Sequence, residues 1–217
     1  MVKTLFALGT ALALGTAGAQ SAILKLPLIN DPIMNPILAP DLGSILVNKV
    51  LFPGLVRPNE NLQPEPDLAT AWRVTNGGLT YTFTLRQGVR WHDGKPFSAD
   101  DVVFTFKTIL DPKSGSRLSS DFSAVKDIVA VNASTVRFTL SRPFAPFLIL
   151  LGHNAGIVPK HLLEGKDLNT FAAFNRQNPI GTGPFKISRV TPGSSVSLVA
   201  TFRKRCSPCL WPNRSSL

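Results

Sequence analysis

The chain has 217 residues, 44% of them hydrophobic, and carries 23 Lys and Arg against 13 Asp and Glu, a formal charge of +10. That length allows one large domain or two small ones. A charge of +10 suggests a nucleic-acid footprint until its distribution is read. Lys3, Arg203, Lys204, Arg205 and Arg214 lie in terminal segments without acids, and the remaining basic residues are scattered rather than interleaved with aromatics. Nucleic acid is therefore not expected as a partner.

Residues 1–19 read as a secretory signal. Lys3 supplies the positive start, Leu5 to Leu14 the apolar stretch, and Ala17-Gly18-Ala19 the small-x-small cleavage site. The apolar run is well short of the ~20 residues that span a bilayer. A short strand is expected at Ile23 to Leu28, followed by a turn-rich entry marked by Asn30-Asp31-Pro32 and Asn35-Pro36. Ile45 to Leu51 is apolar enough for a short helix packed on a sheet. Pro53, Pro58, Pro64 and Pro66 mark Gly54 to Pro66 as loop, and Asp67 to Trp72 leads into a turn at Gly77-Gly78.

Gly78 to Phe106 carries the strongest signal. From Thr80 to Arg86 the chain alternates: Tyr81, Phe83 and Leu85 on one face, Thr80, Thr82, Thr84 and Arg86 on the other, the pattern of a half-buried strand. Asp93-Gly94 and Pro96 punctuate it. Ser98 then stands as an N-cap with Asp101 three residues on, a capping box with a shortened acid. Asp100 and Asp101 place negative charge in the first helical turn, where the helix dipole favours it. Val102, Phe106 and Ile109, with Val103 and Leu110 beside them, form the buried stripe.

Asp111 to Ser123 is polar, holds Pro112 and Gly115, and reads as surface loop. Ile128 to Val131 and Thr135 to Leu140 read as a hairpin across Asn132-Ala133-Ser134. Short helices are expected at Phe144 to Leu151, from Pro159 through Leu163, and at Phe171 to Arg176. Phe185 to Val190 and Ser195 to Ala200 pair across Thr191-Pro192-Gly193. Strands and helices mixed in this order give an α/β or mixed α+β lobe spanning residues 20–200. Thr201 to Leu217 changes character: it has no acid, loses apolar periodicity and contains both cysteines, Cys206 and Cys209. It reads as an aberrant or disordered tail.

No catalytic constellation emerges. His92-Asp93 suggests a dyad, but neighbours on an extended chain face opposite ways, so a structural turn is the better reading. His153 and His161 match no common metal spacing and read as surface or capping residues. Cys206-Ser207-Pro208-Cys209 lacks the second ligand pair of a zinc site and the following helix of a redox pair. Gly181-Thr182-Gly183 is followed by Pro184 and an alternating strand, not by the helix a phosphate loop needs. These glycines are expected instead to allow a tight crossing where the chain returns to the main sheet. No cofactor is expected.

The ordered run Gly78 to Phe83, Leu85-Arg86, Gly88-Val89, Trp91 to Gly94 and Ala99 to Val102 resembles the signature of the extracytoplasmic solute-binding proteins of peptide- and nickel-type ABC transporters, family 5. Pro66 with Asp67-Leu68-Ala69 and Ala71-Trp72, and Asn178 to Phe185, resemble two further family segments. The likeness runs from about Leu42 to about Ala200. It implies a non-enzymatic, periplasmic or otherwise extracytoplasmic protein of the type II periplasmic-binding fold. Such a protein closes two lobes over a peptide or related solute and delivers it to a membrane permease. This chain would supply the first lobe, and the abrupt end after Ala200 reads as truncation. Two alternatives remain: a fragment that self-associates and binds nothing, and a secreted hydrolase. Asn30, Met34 and Asn35 lie where the first strand ends, and loops at strand ends commonly line such clefts. They are therefore candidate ligand-binding residues, with an ordinary turn around a packed methionine as the alternative.

Overall fold

The computed structural model describes residues 30–153 and 155–201. The expected signal sequence (1–19), the strand expected at Ile23 to Leu28, and the tail with Cys206 and Cys209 lie outside the described residues.

Helix α1 spans Leu42–Leu51, three residues earlier than its apolar run begins. The earlier start follows from Asp41, whose Oδ1 accepts the Ser44 N–H at 2.9 Å while Ser44 Oγ donates to Oδ2 at 2.9 Å. This N-cap satisfies donors that a helix end otherwise leaves open. The stretch expected as loop contains a small ribbon of β1 (Val56–Pro58) and β2 (Pro64–Pro66). Only some positions of a two-stranded ribbon need an N–H in the ladder, so prolines fit at its edges and open end. Pro58 faces Pro64 there, and Arg57 pairs with Glu65 across the strands at 3.3 Å.

The main sheet is antiparallel, in the order β3 (Ala69–Thr75), β4 (Thr80–Leu85), β6 (Thr135–Leu140), β5 (Val125–Asn132). Strand β4 follows the alternation in the sequence: Tyr81, Phe83 and Leu85 are buried. The hairpin β5–β6 turns where expected, and its tip is put to use. The Ser134 carbonyl accepts the Leu85 N–H, and the Ala133 carbonyl accepts the Ala99 N–H at the start of helix α2 (Ala99–Leu110). Helix α2 lays Val102, Phe106 and Ile109 on the inner face of the sheet.

Between them lies a cluster of aromatic rings. Phe138 meets Phe106 at 5.0 Å, Phe147 at 5.5 Å and Phe83 at 5.6 Å between centroids, all edge-on. Edge-to-face rings at such distances add about 0.5–1.5 kcal/mol per pair beyond area burial. Phe122 joins them at 5.1 Å from Phe106 and has no exposed surface. The segment 111–123 is therefore not a plain surface loop. It folds as two short 3₁₀ turns, Pro112–Ser114 and Arg117–Ser119, because the ring of Phe122 at its end must reach the core.

Helices α3 (Phe147–His153) and α4 (Lys160–Leu163) form close to their expected places. The expected helix at Phe171 to Arg176 is a π-turn over Ala173–Gln177, closed by the Asn178 N–H to the Ala173 carbonyl at 2.9 Å. Strands β7 (Phe185–Thr191) and β8 (Ser195–Ala200) pair as expected. They form a ribbon of their own among the described residues. The crossing that leads to them does not return to the main sheet, as the sequence suggested, but passes over the C-terminal end of α1. There a β-carbon at 181 would overlap the Leu51 carbonyl oxygen and one at 183 the Val50 carbonyl oxygen. Glycine is needed for that approach, and the Gly183 N–H uses it by donating to the Leu51 carbonyl at 2.9 Å.

Candidate functional site

An open cleft of about 800 Å³ lies where α1, the β1–β2 ribbon, the end of α3 and the 181–184 crossing meet. Each wall has a local cause. Helix α1 contributes Ile45, Asn48, Lys49 and, just past its end, Phe52, positions that share one face at helical spacing. The ribbon contributes Arg57 and Glu65, and its loop adds Asn59, Glu60 and Asn61. Gly152, His153, Ala155 and Gly156 line it from the far side, and Thr182 to Pro184 closes the floor beside Thr201. An apolar rim continues outward along α1, where Leu42, Ile45 and Leu46 are exposed by 69, 38 and 41%.

The electrostatics are mixed. Burial pushes the Asp67 carboxyl up from 3.8 to about 6, against the pull of Arg57 and Arg86. Burial also lowers Lys49. The Asp67 shift shows a carboxyl held where water reaches it poorly, whereas Lys49 stays exposed. Two buried side-chain atoms of the lining, Asn48 Oδ1 and Thr182 Oγ1, have no hydrogen-bond partner among the described residues. The wall is thus apolar in mass, with scattered donors and acceptors, as in sites that orient small ligands.

Of the residues expected to face a ligand, Met34 and Asn35 have no exposed surface. The Met34 N–H donates to the Asn175 carbonyl at 2.7 Å. Asn35 Nδ2 donates to Asn175 Oδ1 at 3.0 Å, and its own Oδ1 accepts the Ile37 N–H at 3.1 Å. Their polar groups are consumed inside the lobe, fixing the entry segment to the π-turn. Asn30 is exposed, and Pro36 and Ala39 of the same segment line the cleft.

The chain turns at Trp91 to Gly94 as expected, the Gly94 N–H donating to the Trp91 carbonyl at 2.8 Å, but the partners of the turn were not legible. His92 and Asp93 do not bond each other. Asp93 Oδ2 lies 2.7 Å from His161 Nε2 on α4, so His161, exposed as expected, also ties the turn to α4. Asp101 does more than cap α2. Its Oδ2 accepts the Ser98 N–H at 2.9 Å and Trp91 Nε1–H at 3.4 Å, and its Oδ1 accepts the Lys160 N–H at 2.9 Å. Among the described residues no group of three or more His, Cys, Asp or Glu is placed to hold a metal ion, and no helix is long and apolar enough to cross a membrane.

The lobe is thus an antiparallel sheet backed by helices, with an open cleft at one end beside the β1–β2 ribbon. Comparison with known proteins supplies its class. Residues 63–202 match the family described as bacterial extracellular solute-binding proteins, family 5 middle. The chain belongs to that family. It is 34% identical over 204 residues to Protein XP55 of Streptomyces lividans, covering 94% of this chain and 35% of that relative. It is similar to the structure of NikZ from Campylobacter jejuni in complex with Ni(L-His), at 38% identity and a TM-score of 0.71, covering 82% of this chain and 34% of that one. It is also similar to the oligopeptide-binding protein AppA of Bacillus subtilis in complex with a nonapeptide. There the identity is 30% and the TM-score 0.75, covering 80% of this chain and 35% of that one. The chain thus spans about a third of the length of the relatives it matches.

Proposed function

We propose that this chain is the substrate-binding component of an ABC transporter for peptides or related solutes, contributing one lobe to a ligand site and delivering the ligand to a permease in the membrane. The observation that carries the reading is the cleft itself: a mixed polar and apolar concavity at one end of a lobe that superimposes on a third of a nonapeptide-bound relative. Ligand main-chain groups would meet the polar side chains of the ribbon and crossing, and ligand side chains the apolar rim of α1. Asn30, at the mouth of the same segment, is retained as a ligand-facing candidate. The protein acts outside the cytoplasm, exported by residues 1–19. N-terminal sequencing of secreted material should begin at Gln20, and retention of Met1 on cytoplasmic protein refutes export.

The binding reading is tested by thermal denaturation of the full chain with and without a mixed peptide pool. A ligand present at a hundred times its dissociation constant stabilises a single-site protein by about 2.7 kcal/mol. A cooperative melt of monomeric protein that shifts by that amount supports it. Self-associating protein with no shift refutes it and leaves a chain that binds nothing alone. Turnover of generic ester or peptide substrates would favour a secreted hydrolase.

A further inference from the structure

His92 holds the floor of the cleft by three hydrogen bonds. Its backbone N–H donates to the Gly181 carbonyl at 2.8 Å. The Gly181 N–H donates to His92 Nδ1 at 3.3 Å. With Nδ1 accepting, the ring proton sits on Nε2, which donates to the Gly183 carbonyl at 3.0 Å. The imidazole therefore spans both glycines of the crossing and fixes Thr182 between them, against the end of α1. Only a neutral imidazole can accept at Nδ1, since both ring nitrogens are donors in the cation.

We propose that His92 is a positioning residue for the cleft: neutral, it pins the Gly181–Gly183 wall in its ligand-holding place, and its protonation frees Gly181, loosens that wall and releases ligand in acid. This rests on the reading of the cleft as the ligand site. The charged groups that face His92 are Lys186 on β7 and Asp93 in its own turn. Burial, first, and then Lys186 hold His92 below its ordinary 6.5, while the bond to Gly183 and the charge of Asp93 pull the other way. A histidine lowered on folding lends its stabilisation in full above 6.5, and loses it as pH falls through the lower folded value. Asp93 is engaged by His161 on α4 at 2.7 Å. The turn thus stays fastened to α4 while its neighbouring side chain lets go of the crossing.

The test follows glycine amides by NMR in the full chain, alongside calorimetric titration with a mixed nonapeptide pool at about pH 7.5 and about pH 5.5, on either side of the ordinary histidine range. The Gly181 amide should titrate in the wild type with a midpoint below 6.5, and should not titrate in His92→Gln, whose amide can still donate to Gly183 but carries no titrating proton. Peptide affinity should fall roughly fivefold in acid, the size of one lost buried hydrogen bond, in the wild type and not in the variant. Lys186→Gln, at an exposed position, should raise the Gly181 midpoint and keeps the test open if His92→Gln does not fold. A Gly181 amide indifferent to pH, or an equal acid loss in His92→Gln, overturns the proposal. A Gly181 amide that titrates in protein that binds peptide at neither pH overturns the ligand-site reading and this role with it, leaving the clasp as structure alone.

Discussion

Replacing Asp67 by asparagine should make the protein more stable at neutral pH. Asp67 ends the β1–β2 ribbon, held at both backbone groups: its N–H donates to the Leu55 carbonyl at 3.3 Å, and its carbonyl accepts from Arg86 Nε at 3.3 Å. Its carboxyl is raised by burial from 3.8 to about 6 despite Arg57 and Arg86. A carboxyl raised on folding lends stability below its unfolded value, where both states are protonated. It loses that stability as pH rises through the folded value, because the native state must then ionise it in a poor environment. The interval between 3.8 and about 6 corresponds to about 3 kcal/mol at roughly 1.4 kcal/mol per unit. That figure is an upper one, since the half-buried carboxylate is partly screened by water. Asparagine keeps the shape without the charge, and Arg57 keeps Glu65 at 3.3 Å. Unfolding free energies of the two proteins from urea titration should therefore differ by about 1–3 kcal/mol at neutral pH, with the Asp67→Asn variant the more stable, and converge as pH approaches 4. A variant less stable than wild type at neutral pH would show that attraction to the arginines outweighs burial, and the reasoning would fail.

Gly181→Ala must push the crossing off the Leu51 carbonyl, which a β-carbon would overlap. It should cost about 1–3 kcal/mol or more, and an unchanged melting temperature would show that the crossing yields freely. Asp101→Ala strands three donors, the Ser98 and Lys160 N–H groups and Trp91 Nε1–H, and should cost about 2–4 kcal/mol. Ser98→Ala removes only the reciprocal half of the capping box, at about 1 kcal/mol. Equal losses in denaturant titrations would mean that Asp101 serves only as a cap.

Strand β4, helix α2 with its cap, the hairpin β5–β6 and the ribbon β7–β8 were all readable in the sequence, because each is decided by neighbours within a few residues. Period-two alternation needs one apolar face, and a cap needs a polar side chain three positions from the residue it answers. The family was readable for a related reason: its signature is an ordered local run, Gly78 to Val102. What the sequence did not reveal is what depends on distant partners. The proline-bearing ribbon β1–β2 exists because 56–58 and 64–66 pair with each other, which breaker residues alone argue against. Asn35 meets Asn175 across 140 positions, His161 meets Asp93 across 68, and His92 meets Gly183 across 91. A side chain's role there is set by which donor or acceptor the folded chain brings within about 3 Å, a length that no spacing along the sequence encodes. Local pattern therefore determined the elements, and the likeness of one ordered run to a family signature pointed to the family, while tertiary packing alone decided that Met34 and Asn35 are interior, that Asp67 lines a cleft, and that the His92 ring clasps its floor.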